Sequence, residues 1–171
     1  MRRPHARGFT LIELLVTIAI AVLLGLVAVP DLVSMMDSGK TSVLVNQFPQ
    51  DVAWARNQAV AGQSTVSIAL SDNGCNWSTS VVSADGTSNP ADAEHSMSST
   101  QFTSDYPGVS CSISGAPVSG TLAFDSQGFI TDGAGGNPVS PTIVLQDAHG
   151  QSWTLQVLAS GSVLVNANTA S

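Results

Sequence analysis

Basic residues are almost absent from this chain. Only five of its 171 residues are Lys or Arg, and none of these follows Arg56. Eight acidic residues do follow Arg56, and the formal net charge is −7. Because duplex binding is driven mainly by Lys and Arg that displace counterions from phosphates, this composition excludes an ordinary nucleic-acid-binding surface beyond Arg56. We therefore expect no nucleic-acid partner.

Cysteine and histidine are also scarce. The chain has two Cys and three His, and no Cys/His cluster has a spacing that suits zinc. Residues 132–137 offer oxygen ligands but lack the dense alternating carboxylates of a strong calcium site, so a solvated turn is expected there. The same applies to the acidic loop that contains Asp85, Asp92 and Glu94. We therefore expect neither a metal nor another cofactor.

The sequence lacks the motifs of a nucleophilic enzyme. His95 and His149 lie in loop-like sequence, and a Ser-His-Asp arrangement is conceivable, but no Gly-x-Ser-x-Gly elbow is present. Trp54, at helical spacing, and Trp77 and Trp153, in predicted strands, are expected in the core rather than on a ligand platform. We therefore do not expect an enzyme.

One long apolar run is present near the N-terminus. Residues 9–29 comprise 21 residues, with Glu13 as the only charge. As a helix this run would span about 31 Å, close to the hydrocarbon thickness of a bilayer. Arg2, Arg3 and Arg7 precede it, which predicts a cytoplasmic N-terminus and places the rest of the chain beyond the inner membrane.

Two ordinary explanations of this run are weaker. The apolar region of a secretory signal peptide is only about 7–15 residues long, and residues 26–30 form a poor cleavage site. A plain membrane anchor would have no use for Glu13. A carboxylate in mid-membrane costs about 2.5–3.5 kcal/mol, so it usually has a partner.

The junction of the basic leader and the apolar run carries a specific motif. Residues 7–15, with the sequence Arg-Gly-Phe-Thr-Leu-Ile-Glu-Leu-Leu, resemble the cleavage and assembly signal of type IV pilins and pseudopilins. The resemblance implies that a prepilin peptidase removes residues 1–8, cutting between Gly8 and Phe9, and that Phe9 is N-methylated. It also implies that Glu13 pairs with the cationic N-terminus of a neighbouring subunit and so sets the axial register.

Helical periodicity continues beyond the apolar run, with Pro30 expected to kink the helix without ending it. Pro49 is expected to bend or restart the helix, and Gly62 to end it. We therefore predict one long kinked helix, with residues 9–29 in the membrane and residues 30–61 covering a sheet. Its apolar face is formed by Leu44, Phe48, Val52, Ala55 and Ala59.

After Gly62 the pattern changes to period two and predicts a β-rich head over residues 62–171. Hairpin turns are expected at residues 125–128 and 147–150, and loops over 85–100 and 132–141. The resulting fold is α+β and pilin-like, with a single antiparallel sheet behind the long helix. Strands are predicted over 65–70, 77–83, 109–114, 121–124, 142–146, 153–158 and 162–165.

The head also resembles a particular family. Trp54-Ala55-Arg56-Asn57-Gln58-Ala59-Val60 and the hairpin Phe124-Asp125-Ser126-Gln127-Gly128 are similar to the GspH/FimT family of minor pseudopilins and minor pilins. The resemblance implies a single-pass inner-membrane subunit whose partners are the prepilin peptidase and other pseudopilins or pilins. It implies assembly into a pseudopilus or a pilus tip complex, and covers type II secretion and type IV pili alike.

One departure from that family bears on the alternative function, which is a tip-located binding module for adhesion or DNA uptake. Many members have a closing Gly-Arg-x-Arg stretch, which is linked in some to DNA uptake, whereas this chain has Gly161-Ser162-Val163-Leu164. DNA uptake is therefore not expected. Removal of the leader leaves two basic and twelve acidic residues, a side-chain charge of −10, which points the same way.

Cys75 and Cys111 would lie outside the inner membrane, where oxidation is possible. A disulfide would close a loop of about 36 residues and stabilise the head by up to roughly 4 kcal/mol. We favour the disulfide, and two free buried thiols are the alternative.

Overall fold

The computed structural model describes residues 9–83, 86–90, 93–117, 119–133 and 136–168, without the side chains of residues 27–38 and of Ala93. The chain divides into two compact units, Met1–Met36 and Asp37–Ser171. A single helix, α1, covers Leu11–Gly62 and is 52 residues long. The long N-terminal helix predicted over residues 9–61 is therefore confirmed.

In the N-terminal unit, the described side chains of α1 are mostly exposed. Phe9, just before the helix, is 84% exposed, and Leu26 is 70% exposed. Within the described part of the chain, no helix combines the length and the apolar character needed to cross a membrane. The membrane span expected over residues 9–29 stays a prediction, and the side chains of residues 27–29 are not described.

Pro30 and Pro49, the two prolines expected to disturb the helix, both lie inside α1. The helix does not restart at Pro49, because the neighbouring residues Phe48 and Val52 are 2% and 0% exposed and tertiary packing holds this segment. A proline removes only one hydrogen bond from such a helix. The side chain of Pro30 is not described, and the kink at Pro30 stays a prediction.

The second half of α1 buries the face that the spacing predicts. These side chains pack with two antiparallel sheets in one core, so residues from 41 to 59 bind the helix to the head. Thr41 and Asp51 are buried beside the apolar residues, at 2% and 3% exposure. The predicted apolar face is confirmed: Leu44, Phe48, Val52, Ala55 and Ala59 are each at most 2% exposed.

The head contains two sheets, where the sequence predicted one. The first has the strand order β3-β2-β1-β5-β6 and the second the order β4-β7-β8-β9, and all pairs are antiparallel. The strands are β1 (Thr65–Ser71), β2 (Asn76–Val82), β3 (Ser88–Pro90), β4 (Ser110–Ser114), β5 (Thr121–Phe124), β6 (Ile130–Thr131), β7 (Thr142–Gln146), β8 (Ser152–Val157) and β9 (Val163–Asn168).

The seven predicted strands all form, with ends shifted by up to three residues. The chain crosses between the sheets three times, since β4 lies in the second sheet, β5 and β6 in the first, and β7 to β9 in the second. Periodicity shows which residues form strands but not which strands pair, so this division was beyond the sequence pattern.

Residues 85–100, predicted as a loop, contain regular structure. β3 lies there, as do the 3₁₀ turn Ala93–His95 and the start of a short helix, α2 (Ser99–Asp105). The hydroxyl of Ser98 caps α2 by accepting the backbone N–H of Gln101 at 3.2 Å. Burial of Phe102, at 7% exposure, holds this short helix in place. The Ser-x-x-Gln spacing was a usable signal that the loop-rich composition obscured.

The two predicted hairpin turns are confirmed and have the same construction. In each, an Asp carboxylate oxygen accepts two backbone N–H groups, from Gln127 and Phe129 at Asp125, and from His149 and Gln151 at Asp147. The fourth residue is a glycine with positive φ, 82° at Gly128 and 84° at Gly150. Only glycine adopts this backbone conformation without a steric cost.

Candidate assembly site

The beginning of α1 is organised by a capping residue that our sequence interpretation did not identify. Thr10 accepts the backbone N–H of Glu13 at its hydroxyl (3.3 Å) and that of Leu14 at its carbonyl (3.2 Å). The Thr-x-x-Glu spacing is the capping-box signature and could have revealed it. The cap fixes Glu13 in the first turn, where the helix dipole favours a carboxylate.

The residues predicted for processing and for assembly are accessible where the structure describes them. Phe9 and Glu13 are exposed, and Gly8 lies outside the described residues. Among the described residues, no cation lies within ion-pair distance of the Glu13 carboxylate. A negative charge at a helix start, surrounded by exposed apolar side chains, can pair with a cation from another molecule. The pairing itself stays a prediction.

The two cysteines form a disulfide that links the sheets. Cys75 lies between the 3₁₀ turn Asp72–Gly74 and β2 of the first sheet, and Cys111 lies on β4 of the second. The two Cα atoms are 5.5 Å apart, and the bridge joins residues separated by 36 positions. Cys75 is 4% exposed, so this half of the bridge belongs to the core.

A buried polar cluster under α1 was missed at the sequence level. The Oδ2 atom of Asp51 accepts the indole N–H of Trp77 at 2.8 Å, and its Oδ1 atom lies 3.1 Å from Nδ1 of His95. The ring of His95 stacks on Trp54, with centroids 4.1 Å apart and planes inclined by 18°. Asp51 lies next to Val52 on the apolar face of α1. An acidic residue at a buried position of that face was the sequence signal that could have revealed the cluster.

The cluster ties three elements together. It connects α1, β2 and the turn Ala93–His95. Within the described residues, no serine hydroxyl hydrogen-bonds to the His95 ring. The buried carboxylate is satisfied by donors on both oxygens, as a structural buried acid must be. His95 thus packs between the Asp51 carboxylate and the Trp54 ring.

The expected core positions of the tryptophans agree with the structure. Trp77 and Trp153 are 3% and 9% exposed, and Trp54 is partly buried against the core. Trp77 also contacts Phe48 edge-on, with ring centroids 5.2 Å apart. None of the three is freely exposed, so they do not form a ligand platform.

The remaining candidate positions have ordinary structural roles. Asp132 closes its own loop, because its carboxylate accepts the backbone N–H of Asn137 at 3.3 Å and its side-chain amide at 3.0 Å. Glu94 and His149 are exposed. Among the described residues, no group of three or more His, Cys, Asp or Glu side chains could hold a metal. Asp85 and Asp92 lie outside the described residues.

The side chain of Arg56 lies in a notch between two glycine turns. A Cβ atom at Gly161 would come within 2.6 Å of Arg56 Cδ, and one at Gly128 within 3.0 Å of Arg56 Nε. Both glycines have positive φ, 80° and 82° respectively. The two turns thus leave room for the arginine stem only because neither carries a side chain. Arg56 is exposed, and Phe129, beside Gly128, is 51% exposed.

Two family models match the chain. The prokaryotic N-terminal methylation motif matches residues 3–29, and the type II transport protein GspH model matches residues 44–161. Both matches agree with the resemblance inferred from the sequence. No curated protein sequence matches the chain.

Two solved structures share the fold, and a third is similar at a lower score. One structure of the minor pseudopilin EpsH from the type 2 secretion system of Vibrio cholerae is 13% identical, with a TM-score of 0.54, over 74% of this chain and 95% of that chain. Another is 11% identical, with a TM-score of 0.55, over 78% and 97%. The type IV minor pilin FimU of Pseudomonas aeruginosa is 17% identical, with a TM-score of 0.49, over 75% and 98%.

Proposed function

Because the chain belongs to the GspH family of type II transport proteins, we propose that it is a minor subunit that assembles through its N-terminal helix into a pseudopilus or a pilus tip complex. The N-terminal methylation motif over residues 3–29 supports this proposal. The proteins named by the comparisons are pseudopilins and pilins, so the function proposed is assembly rather than catalysis.

The observation that carries the proposal is the exposed start of α1. Phe9, Leu11 and Ile12 are 84%, 81% and 65% exposed, and Glu13 lies among them in the first turn. Exposed apolar patches of this kind mark interaction surfaces. A bundle of such helices, or a bilayer, would bury these side chains, and the carboxylate would then require a cation.

The proposed mechanism begins with processing. A prepilin peptidase cuts between Gly8 and Phe9, and methylation of Phe9 leaves a cationic amine at the new N-terminus. Before assembly the helix start is held in the inner membrane as a single pass, with the N-terminus cytoplasmic and the β-rich head periplasmic. On assembly the carboxylate of Glu13 pairs with the amine of a neighbouring subunit, and any other stagger leaves both charges unpaired.

A Glu13→Val variant tests the proposal. We expect the leader to be removed normally, as measured by the mass of the purified full-length chain, while incorporation into the complex falls at least about tenfold. Incorporation is measured by co-purification with the other subunits from cells. Thr17→Val is the matched control, because it places the same residue one helical turn away without removing a charge. Equal incorporation of the two variants would refute the role of Glu13.

A deletion strain tests the wider assignment. Loss of exoprotein release would indicate type II secretion, and loss of surface filaments would indicate a pilus. A strain that retains both would contradict the proposal. An enzyme tethered by its helix would differ, because its activity would survive Glu13→Val.

A further inference from the structure

The second sheet ends at an unprotected edge, the strand β9 (Val163–Asn168). β9 pairs with β8 on one side only, and its outer backbone N–H and C=O groups have no partner among the described residues. Its six residues include no charge, proline or glycine. Natural proteins usually protect such an edge, because it is a template for another strand.

The other three sheet edges differ from β9, and two of them are protected. β3 ends in Pro90, which cannot donate to a neighbouring strand. β6 has two residues, and Thr131 already forms a bridge with Pro138. β4 carries Cys111, whose disulfide with Cys75 links this strand to the residue that precedes β2 in the first sheet. Among the described edge strands, β9 has neither a proline, nor a bridge beyond its sheet neighbour, nor a disulfide.

Both faces of β9 carry exposed apolar side chains. Val165 pairs with Leu155, which is 1% exposed, so Val165 lies on the core side of the sheet, yet it is 40% exposed. Leu164, on the opposite face, is 48% exposed. The core side of β9 is thus packed at Val163 but left exposed at Val165. An added strand would cover these side chains and satisfy the outer backbone groups.

A cation stands at the beginning of this edge. Arg56 lies against Gly161, two residues before β9 starts, and Arg56 and Lys40 are the only Lys or Arg after the leader. Among the described residues, no carboxylate forms an ion pair with Arg56. Residues 158–168 include no acid. Arg56 is exposed and is thus available to pair with a carboxylate from another molecule.

From the β9 edge and Arg56 together, we propose that β9 binds an extended segment of a different subunit, which adds a strand to the second sheet and places an Asp or Glu against Arg56. The inference rests on the proposed function and names its interaction surface. A second copy of this chain fits less well, since its β9 brings no acid and the processed chain has a side-chain charge of −10. That charge also repels phosphate backbones.

The test uses the full-length chain in its own cells, with a photo-crosslinking amino acid at one of three exposed positions. Asn166 probes β9, Ser112 probes the opposite edge of the same sheet, and Ile18 probes the N-terminal helix. We expect an adduct at Asn166 with a protein other than this chain, and no such adduct at Ser112. In the Asn166-labelled chain, Arg56→Glu and Leu164→Lys should each reduce that adduct by about tenfold or more, while the adduct at Ile18 persists in both backgrounds.

Charge reversal identifies the partner residue. The crosslinked peptide should contain an Asp or Glu, and changing that residue to Lys should restore the adduct in the Arg56→Glu background. An adduct formed only between two copies of this chain, or with nucleic acid, would overturn the inference. So would an adduct that Arg56→Glu leaves unchanged.

The crosslinker at Ile18 distinguishes a failure of the inference about β9 from a failure of the proposed assembly role. An Ile18 adduct without an Asn166 adduct would overturn the inference about β9 and leave the assembly role intact. Absence of both adducts would contradict the assembly role, and the inference would fall with it. Formation of the Cys75–Cys111 disulfide in each variant, detected by alkylation and mass, shows that the head has folded.

Discussion

The indole N–H of Trp77, on β2, donates a hydrogen bond of 2.8 Å to the buried carboxylate of Asp51, on α1. The second oxygen of the same carboxylate lies 3.1 Å from His95. One acid thus joins the long helix, the first sheet and the turn that follows β3. Because Asp51 is 3% exposed, its partners would lose their acceptor without access to bulk water.

Replacement of Asp51 should therefore destabilise the head. We expect Asp51→Ala to lower the free energy of unfolding by about 2–4 kcal/mol, because it leaves the Trp77 N–H without an acceptor. Asp51→Asn retains one acceptor oxygen and should cost less. The measurement is urea unfolding of the full-length chain in detergent, followed by tryptophan fluorescence. Glu94→Ala, at an exposed position, is the control, and a loss no larger than in this control would contradict the assigned role.

The disulfide should contribute a large part of the stability. The loop between Cys75 and Cys111 spans 36 positions, for which the chain-entropy model gives about 4 kcal/mol. The double variant Cys75→Ser, Cys111→Ser should lose this amount in urea unfolding. Reductant should lower the unfolding midpoint of the unmodified chain and leave that of the double variant unchanged. An equal response of both chains to reductant would show that the bridge does not stabilise the head.

Gly161 and Gly150 allow a separation of backbone strain from steric clash. Both have positive φ, 80° and 84°, but a Cβ at Gly161 would meet Arg56 at 2.6 Å, whereas at Gly150 nothing lies within 4 Å. Gly150→Ala should cost about 1 kcal/mol from backbone strain alone, and Gly161→Ala distinctly more.

A double-variant cycle isolates the contact with Arg56. Combining Gly161→Ala with Arg56→Ala should recover at least about 0.5 kcal/mol relative to the sum of the single changes. Strict additivity in urea unfolding would mean that the arginine stem does not occupy the notch.

Tyr106 should make stability depend on pH in the alkaline range. Burial, with a smaller effect from the charge of Asp105, raises the pKa of the Tyr106 hydroxyl above its ordinary value of 10.0. Above that pH the unfolded chain releases this proton before the folded chain does, so the free energy of unfolding falls as pH rises. Below that pH the hydroxyl keeps its proton in both states, so Tyr106 adds no pH dependence to the free energy of unfolding.

Tyr106→Phe removes this titration. The urea midpoint should therefore fall less between about pH 9 and about pH 11 in the variant than in the unmodified chain. The comparison at about pH 8 gives the packing cost of the lost hydroxyl, which does not depend on pH. Parallel pH profiles would contradict the assignment.

Local pattern was sufficient for α1 and for seven of the nine described strands. The spacing of Leu44, Phe48 and Val52 fixed the buried face of α1, because residues three and four apart share one side of a helix. Period-two alternation gave seven strands, and the Asp-x-x-Gly turns gave two hairpins, since both signals act over a few residues. The family also followed from short motifs.

Pairing and burial were harder to anticipate. β3 and α2 form in a segment whose composition indicates a loop, because pairing with β2 and burial of Phe102 outweigh local preference. The Asp51 cluster was missed because its three elements are far apart in the sequence, and only folding brings Trp77 and His95 to one carboxylate.

The sequence by itself determined the class of the protein and most of its secondary structure, because charge, periodicity and turn chemistry are local properties. The tertiary structure alone decided that there are two sheets, that β9 is an unprotected edge, and that Arg56 stands at its beginning. These features depend on which distant residues meet, and the pattern of any one segment leaves that open.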